Sequence, residues 1–241
     1  MLLVKCDVQR YLLNVNMNLD SQIWLELSFL PGVYLAGVYI PPDDSRFYDQ
    51  GIVANISAQI KCKKHVIILG DFNARTGKPK LSNKRGEEYD YINISDNTLN
   101  TPGKRLLNMC TDNSLVIANH LNYNNRSLGG NLSFKKGNVW ISELDLCLAH
   151  EDLLPMIEDV KVRQEVGGSD HAPLCISLGI EKSNILTPFL LDRAKNLGQT
   201  YTWPLANHDK LPRTQPSRKV NMVNFNNFMA NNPHQHYQSL I

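Results

Sequence analysis

Short apolar runs, separated by turn residues, outline the chain. "IWLELSFL" and "VYLAGVYI", on either side of Pro31-Gly32, read as two strands around a tight turn. "PPDD" breaks the second strand. Asp44 or Ser45 can then cap a helix whose apolar residues Ile52, Ile56 and Ile60 fall four apart on one face. The next run, Val66 to Leu69, passes straight into Gly70, Asp71, Phe72 and Asn73. Residues 77–100 are polar and irregular and read as a long loop.

"GKRLLNMCTDN" predicts a short helix, with Leu106, Leu107 and Cys110 on one side, leading to the strand "SLVIAN". A turn at "KKGN" separates "LSF" from "VWISELDLCLA". In the latter, Leu144, Leu146 and Leu148 alternate with Asp145 and Cys147, so Asp145 points away from the leucine face. "IEDVKVR" predicts another strand. "EVGGSDHAPLCISL" is a Gly-Gly loop that delivers Asp170 and His171 just before the last strand. From Glu181 the texture changes: prolines recur at 188, 204, 212, 216 and 233, and no apolar period persists. Residues 182–241 therefore read as a linker or poorly ordered tail.

Composition narrows the class. At 241 residues, 42% hydrophobic and 20% charged, the chain is globular in character, and no apolar run approaches a bilayer span. "MLLVKCDVQR" does not resemble a signal peptide. The five cysteines (Cys6, Cys62, Cys110, Cys147 and Cys175) are odd in number, scattered and without a C-x-x-C pair. That argues against a disulfide framework and favours a reducing, intracellular compartment, nucleus or cytoplasm. Cys147 and Cys175 lie in apolar runs, where a thiol acts as a small buried hydrophobe. A net charge of +2 permits a polyanionic partner without requiring one. Lys61, Lys63 and Lys64 precede the "VIIL" strand, and Arg75, Lys78, Lys80, Lys84 and Arg85 follow it; on charge alone, two solvated loops account for them.

Candidate chemistry sits at strand ends: Tyr39, Asp71, Asn73, Asp145, Asp170 and His171 each follow or interrupt an apolar run. Such residues can line one rim of packed sheets. A carboxylate and an amide orient a water, a carboxylate holds a hard divalent cation, and an imidazole paired with an acid stabilises a charged phosphorane. Each also has a structural alternative. "GDFN" can be a turn in which Asp and Asn bond their own backbone, "SDH" can cap a helix, Tyr39 can be a plain strand aromatic, and Asp145 can face solvent.

"GVYIPP", "ILGDFNARTG", "SELDLCL" and "GGSDHAPL", in this order, resemble the endonuclease/exonuclease/phosphatase superfamily, and most of all the endonuclease domain of LINE-type (non-LTR) retrotransposons. The resemblance spans residues 20 to 180. It implies an α/β fold of two mixed β-sheets packed face to face and flanked by helices, a four-layer α-β-β-α sandwich. Residues 1–181 would form a partial domain lacking the first strands.

The resemblance also assigns roles. Asp71 would activate the attacking water, Asn73 would hold a phosphate oxygen, and Tyr39 would hydrogen-bond the phosphate. His171 would act on the non-bridging oxygen, with Asp145 as its carboxylate partner. Ser133 and Arg75 would bind substrate, and Asp170 would be a metal-side carboxylate for Mg²⁺, with Mn²⁺ as an alternative. The implied partner is the DNA phosphate backbone, and full-length relatives carry a polymerase domain further along.

Relatives also carry, upstream, a strand ending in asparagine and another bearing a metal-binding glutamate, and nothing here matches either; Glu26, Asn14 and Asn16 come too late in the order. The expectation is therefore a Mg²⁺-dependent DNA endonuclease by descent, weak or inactive in this chain. The alternatives are a non-catalytic remnant that binds nucleic acid or protein, and a phosphatase for inositol phosphates or phospholipids.

Overall fold

Val66, Ile67 and Ile68 are wholly buried, as residues of a strand covered on both faces must be. The computed structural model describes residues 11–179, apart from Asp20, Phe29, Lys64, Val166 and Gly167, together with Gln9. The expected boundary at 181, the tail 182–241 and Cys6 lie outside the described residues.

The first half contains β1 (Leu12–Leu19), β2 (Gln22–Leu27), β3 (Val33–Tyr39), helix α1 (Gly51–Lys61) and β4 (His65–Asp71). Next come β5 (Asp90–Tyr91), helix α2 (Thr101–Asp112), β6 (Leu115–Ile117), β7 (Leu121–Tyr123) and β8 (Arg126–Ser127). The last part holds β9 (Phe134–Lys136), β10 (Val139–Ser142), β11 (Asp145–His150), β12 (Ile157–Val162) and β13 (Leu174–Leu178).

The fold is an α/β sandwich built on a mixed six-stranded sheet of order β1-β2-β3-β4-β11-β6. Three further sheets, the pairs β12-β13 and β9-β10 and the three-stranded β5-β7-β8, complete the described strands. A single apolar cluster joins these parts. It takes Ile52, Ile56 and Ile60 from α1, Leu106, Met109 and Cys110 from α2, and Ile157 and Val160 from β12. No helix among the described residues is long and apolar enough to cross a membrane.

One crossover sets the site. β3 and β4 are parallel and joined through α1, so both end at the same rim, with Tyr39 opposite Asp71. β11 runs antiparallel to β4 and therefore starts at that rim, with Asp145 opposite Asp71.

Several local readings change. Asp44 and Ser45 lie in turns, and α1 starts later, at Gly51, whose N–H is taken by Asp49 Oδ1 at 2.8 Å. α2 starts at Thr101, two residues before the expected Gly103, and is capped by Asn100, whose Oδ1 accepts from Gly103 N at 2.8 Å. The 77–100 segment is tied down rather than free. Bridges join Thr76 to Leu99 and Ser82 to Glu88, and Leu81 and Tyr91 are buried in the core.

"VWISELDLCLA" is two strands in two sheets, β10 and β11, divided at Glu143-Leu144. Cys147 and Ala149 are as buried as the leucines, so β11 has no solvent face, and Asp145 emerges only because the strand ends there. Cys175, by contrast, is exposed on β13. β1 was not legible from "LLNVNMNL", whose asparagines are poor strand formers. It forms the outer strand of the described sheet, with Leu13, Val15 and Met17 exposed.

Candidate active site

The turn after β4 carries two residues of the site. Gly70 is there for close approach rather than for a turn: a Cβ at 70 would stand 1.9 Å from the carbonyl oxygen of Val38 on β3. The left-handed residue is Asn73, with φ 46°. Its backbone N–H donates to Asp71 Oδ1 at 2.9 Å, and its Nδ2 donates to Asp71 Oδ2 at 3.1 Å and to the Ile40 carbonyl at 2.9 Å. Asp71 and Asn73 thus form the self-bonded turn and still project together, while wholly buried Phe72 anchors the turn in the core.

The loop before β13 meets this turn. His171 Nδ1 lies 2.8 Å from Asp145 Oδ2, and its Nε2 lies 3.9 Å from Asp71 Oδ2. Phe134 supports the ring from β9, with centroids 5.0 Å apart and a bridge between the two backbones. Ligand atoms of Asp71, Asp145 and His171 all fall within 4.8 Å of one another. Two carboxylates and an imidazole at this spacing suit a divalent cation.

Burial and the neighbouring Asp145 charge push Asp71 up to about 6, against the opposing bonds from Asn73 and the nearby His171. The bond to Asp145 raises His171 above its ordinary value, outweighing burial, and the Asp145, Asp71 and Asp170 charges add to it. Tyr39 is raised too, by burial and then by Asp71. A carboxyl pushed up to about 6 beside an imidazole that holds its proton more firmly suits proton transfer near neutral pH.

Tyr39, Asp71, Asn73, Asp145 and His171 therefore share one rim. Asp170 is exposed and stands outside the three converging ligand groups; its carbonyl accepts from Lys135 N at 2.8 Å. Two expectations are corrected. Ser133 does not line a cleft: it is 0% exposed, and its Oγ accepts from Leu144 N at 3.0 Å and Asp145 N at 2.9 Å, so it cannot touch substrate. Arg75 does not present a free guanidinium. It is held in a two-pronged ion pair by Asp96, both bonds at 2.7 Å.

Glu26 lies at the far end of the sheet, paired with Tyr34, and accepts from Asn14 Nδ2 and Gly32 N. Sequence reasoning missed a buried polar set behind Asp145, formed by Asp96, Asn119, His120 and Glu143. Its only signal was polar letters inside apolar runs, in "IANHL" and "ISELDL".

A mixed α/β sandwich whose strand ends gather two acids, an amide, a phenol and an imidazole is of the endonuclease/exonuclease/phosphatase class. Residues 33–175, more than half of the chain, match the family described as endonuclease-reverse transcriptase, and the chain belongs to that family. Among solved structures it is similar to the 3′-5′ exonuclease NExo from Neisseria meningitidis, at 17% identity and TM-score 0.49, over 69% of this chain and 71% of that one. It is similar also to the 3′ phosphatase NExo from Neisseria bound to product DNA hairpin, at 16% identity and TM-score 0.48, over 70% and 71%. A third is the endonuclease domain of TRAS1, a telomere-specific non-LTR retrotransposon, at 19% identity and TM-score 0.43, over 67% and 64%. No curated protein matches the sequence.

Proposed function

We propose that the chain is a divalent-metal-dependent phosphodiester hydrolase acting on DNA, an endonuclease of the non-LTR retrotransposon kind, with weak activity in this form. The observation that carries this reading is His171, which, from the loop before β13, reaches Asp145 at 2.8 Å and faces Asp71 at 3.9 Å on the main sheet. At 3.9 Å the two atoms are too far apart for a direct hydrogen bond, yet near enough for one water or phosphate oxygen beside them to touch both.

The residues then divide the work. Asp71, once ionised, accepts the proton of the attacking water, and a carboxyl raised to about 6 is a better base than an ordinary one. Asn73, whose amide hydrogens are taken by Asp71 and the Ile40 carbonyl, has Oδ1 left to accept a hydrogen of the attacking water and so orient it. His171, held by Asp145, places a positive N–H toward the charge that develops on the phosphate. Tyr39, beside Asp71 at the end of β3, donates to another phosphate oxygen.

A divalent cation would be held by the converging carboxylates of Asp71 and Asp145, with the exposed Asp170 outside that set; hard oxygen ligands favour Mg²⁺, and Mn²⁺ would be the alternative. When bound, such an ion neutralises charge on the phosphate. Weak activity follows from the state of those carboxylates. Asp71 already accepts two bonds from Asn73 and Asp145 already accepts from His171, which leaves few oxygens for an ion that demands an octahedral shell.

Nicking of supercoiled plasmid, with Mg²⁺ or Mn²⁺ and with EDTA, tests the proposal. The expected result is slow, metal-dependent nicking that Asp71→Ala and His171→Ala both abolish, with no release of phosphate from inositol phosphates or phospholipids. Nicking that survives both substitutions overturns the site; fast nicking overturns the claim of weakness. Salt-sensitive DNA binding without any cleavage would instead favour a binding remnant.

A further inference from the structure

We infer that Asn119 is a positioning residue for the Asp145–His171 pair: it grips Asp145 by the backbone and leaves the carboxylate to the imidazole. In functional meaning this rests on the hydrolase reading, but its substance is geometric.

Asn119 is buried, between the ends of β6 and β7. Its Oδ1 accepts from Cys147 N at 2.8 Å. Its Nδ2 donates to Glu143 Oε1 at 2.8 Å and to the Asp145 carbonyl at 3.3 Å. One planar amide therefore touches residues 143, 145 and 147, which flank and include the residue at the rim. Ser133 Oγ takes the Asp145 N–H at 2.9 Å, so both backbone polar groups of Asp145 are bonded by buried side chains.

This matters because β11 begins at Asp145, where a strand would otherwise fray and its side chain would swing. With the backbone held at both ends, the side chain is directed to His171 Nδ1 at 2.8 Å. The grip is itself braced. Glu143 Oε2 lies 3.0 Å from His120 Nε2, and the Glu143 N–H donates to Asp96 Oδ2 at 3.2 Å. A carboxamide offers a donor and an acceptor side by side in one plane. A carboxylate at 119 could still accept from Cys147, but it would have nothing to donate to Asp145 and would face Glu143 with like charge.

NMR of the ¹⁵N-labelled full chain tests this. A bonded His171 Nδ1–H gives a low-field, exchange-protected imidazole resonance, identified by its loss in His171→Gln. The expected result is that Asn119→Asp, folded by near-native amide dispersion, loses the resonance through exchange at least about tenfold faster, whereas Glu143→Gln, which keeps an oxygen for Asn119, retains it. If Asn119→Asp does not fold, the double variant Asn119→Asp/Glu143→Gln restores a bond between those two side chains but not the one to Asp145, and the resonance is still expected to be lost. Retention of the resonance in a folded Asn119→Asp chain or in the double variant overturns the inference. The readout needs no cleavage: the resonance pattern without nicking removes the hydrolase reading alone, and nicking with an unchanged resonance removes the positioning role alone.

Discussion

His171 Nε2 lies 3.9 Å from Asp71 Oδ2, although Asp71 ends β4 in the main sheet and His171 precedes β13 in another. An acid and an imidazole placed so close must titrate together, which gives pH-dependent behaviour that can be measured.

For stability, the two groups have opposite preferences. Folded Asp71 keeps its proton up to about pH 6, against 3.8 when unperturbed, so ionising it destabilises the fold as pH rises through that window. Asp71→Asn should therefore stabilise the fold at pH 7–8 by on the order of 2 kcal/mol, seen as a higher melting temperature, and have little effect near pH 4. His171 is raised, so its contribution is full below its ordinary value of 6.5 and lost as pH rises through its folded value. His171→Gln should cost more at pH 6 than at pH 9. Thermal melts across pH check both signs.

For activity, the rate of metal-dependent nicking should rise as Asp71 ionises, near pH 6, and fall again above the ordinary imidazole range as His171 loses its proton. Asp71→Ala and His171→Ala should each lower the rate about 10²- to 10⁴-fold, and the double substitution little further, since the two act as a unit. A pH–rate series with the three variants measures this.

Gly70→Ala should be disruptive out of proportion to one methyl. The added carbon would meet a backbone oxygen at 1.9 Å, and backbone cannot rotate away as a side chain can. The β3–β4 pairing that sets Tyr39 beside Asp71 must open. A loss of roughly 3 kcal/mol or more is expected in urea unfolding, together with loss of any nicking.

Arg75→Ala should act on stability, not on DNA affinity. Asp96 is 4% exposed in its side chain and depends on Arg75 for two of its bonds, the rest coming from Thr98 N and Glu143 N. Truncating Arg75 leaves a buried carboxylate short of partners. The expected cost is about 1–3 kcal/mol, the half-exposed guanidinium keeping it at the lower end. The salt dependence of DNA binding should be unchanged, which binding titrations over a salt series check.

That the rim residues stand at strand ends was readable from the order of residues, and the resemblance supplied the expectation that they converge. Asp71, Asn73, Asp145 and His171 each interrupt an apolar run, and a run that stops on a polar residue marks the place where a strand leaves the core. The α1 face and the strands around Pro31-Gly32 were readable for the same reason, because burial on one face imposes a period that survives in the sequence. Ser133 and Arg75 looked like substrate contacts and are instead bonded inward, to Leu144, Asp145 and Asp96. Asn119 and Glu143 drew no notice as members of the site at all. Their roles depend on partners brought close only by the packing of sheets, and a hydrogen bond between distant segments imposes no period on either. Local pattern thus located the lip, whereas long-range contacts determined which polar side chains face outward from it and which hold it up from behind.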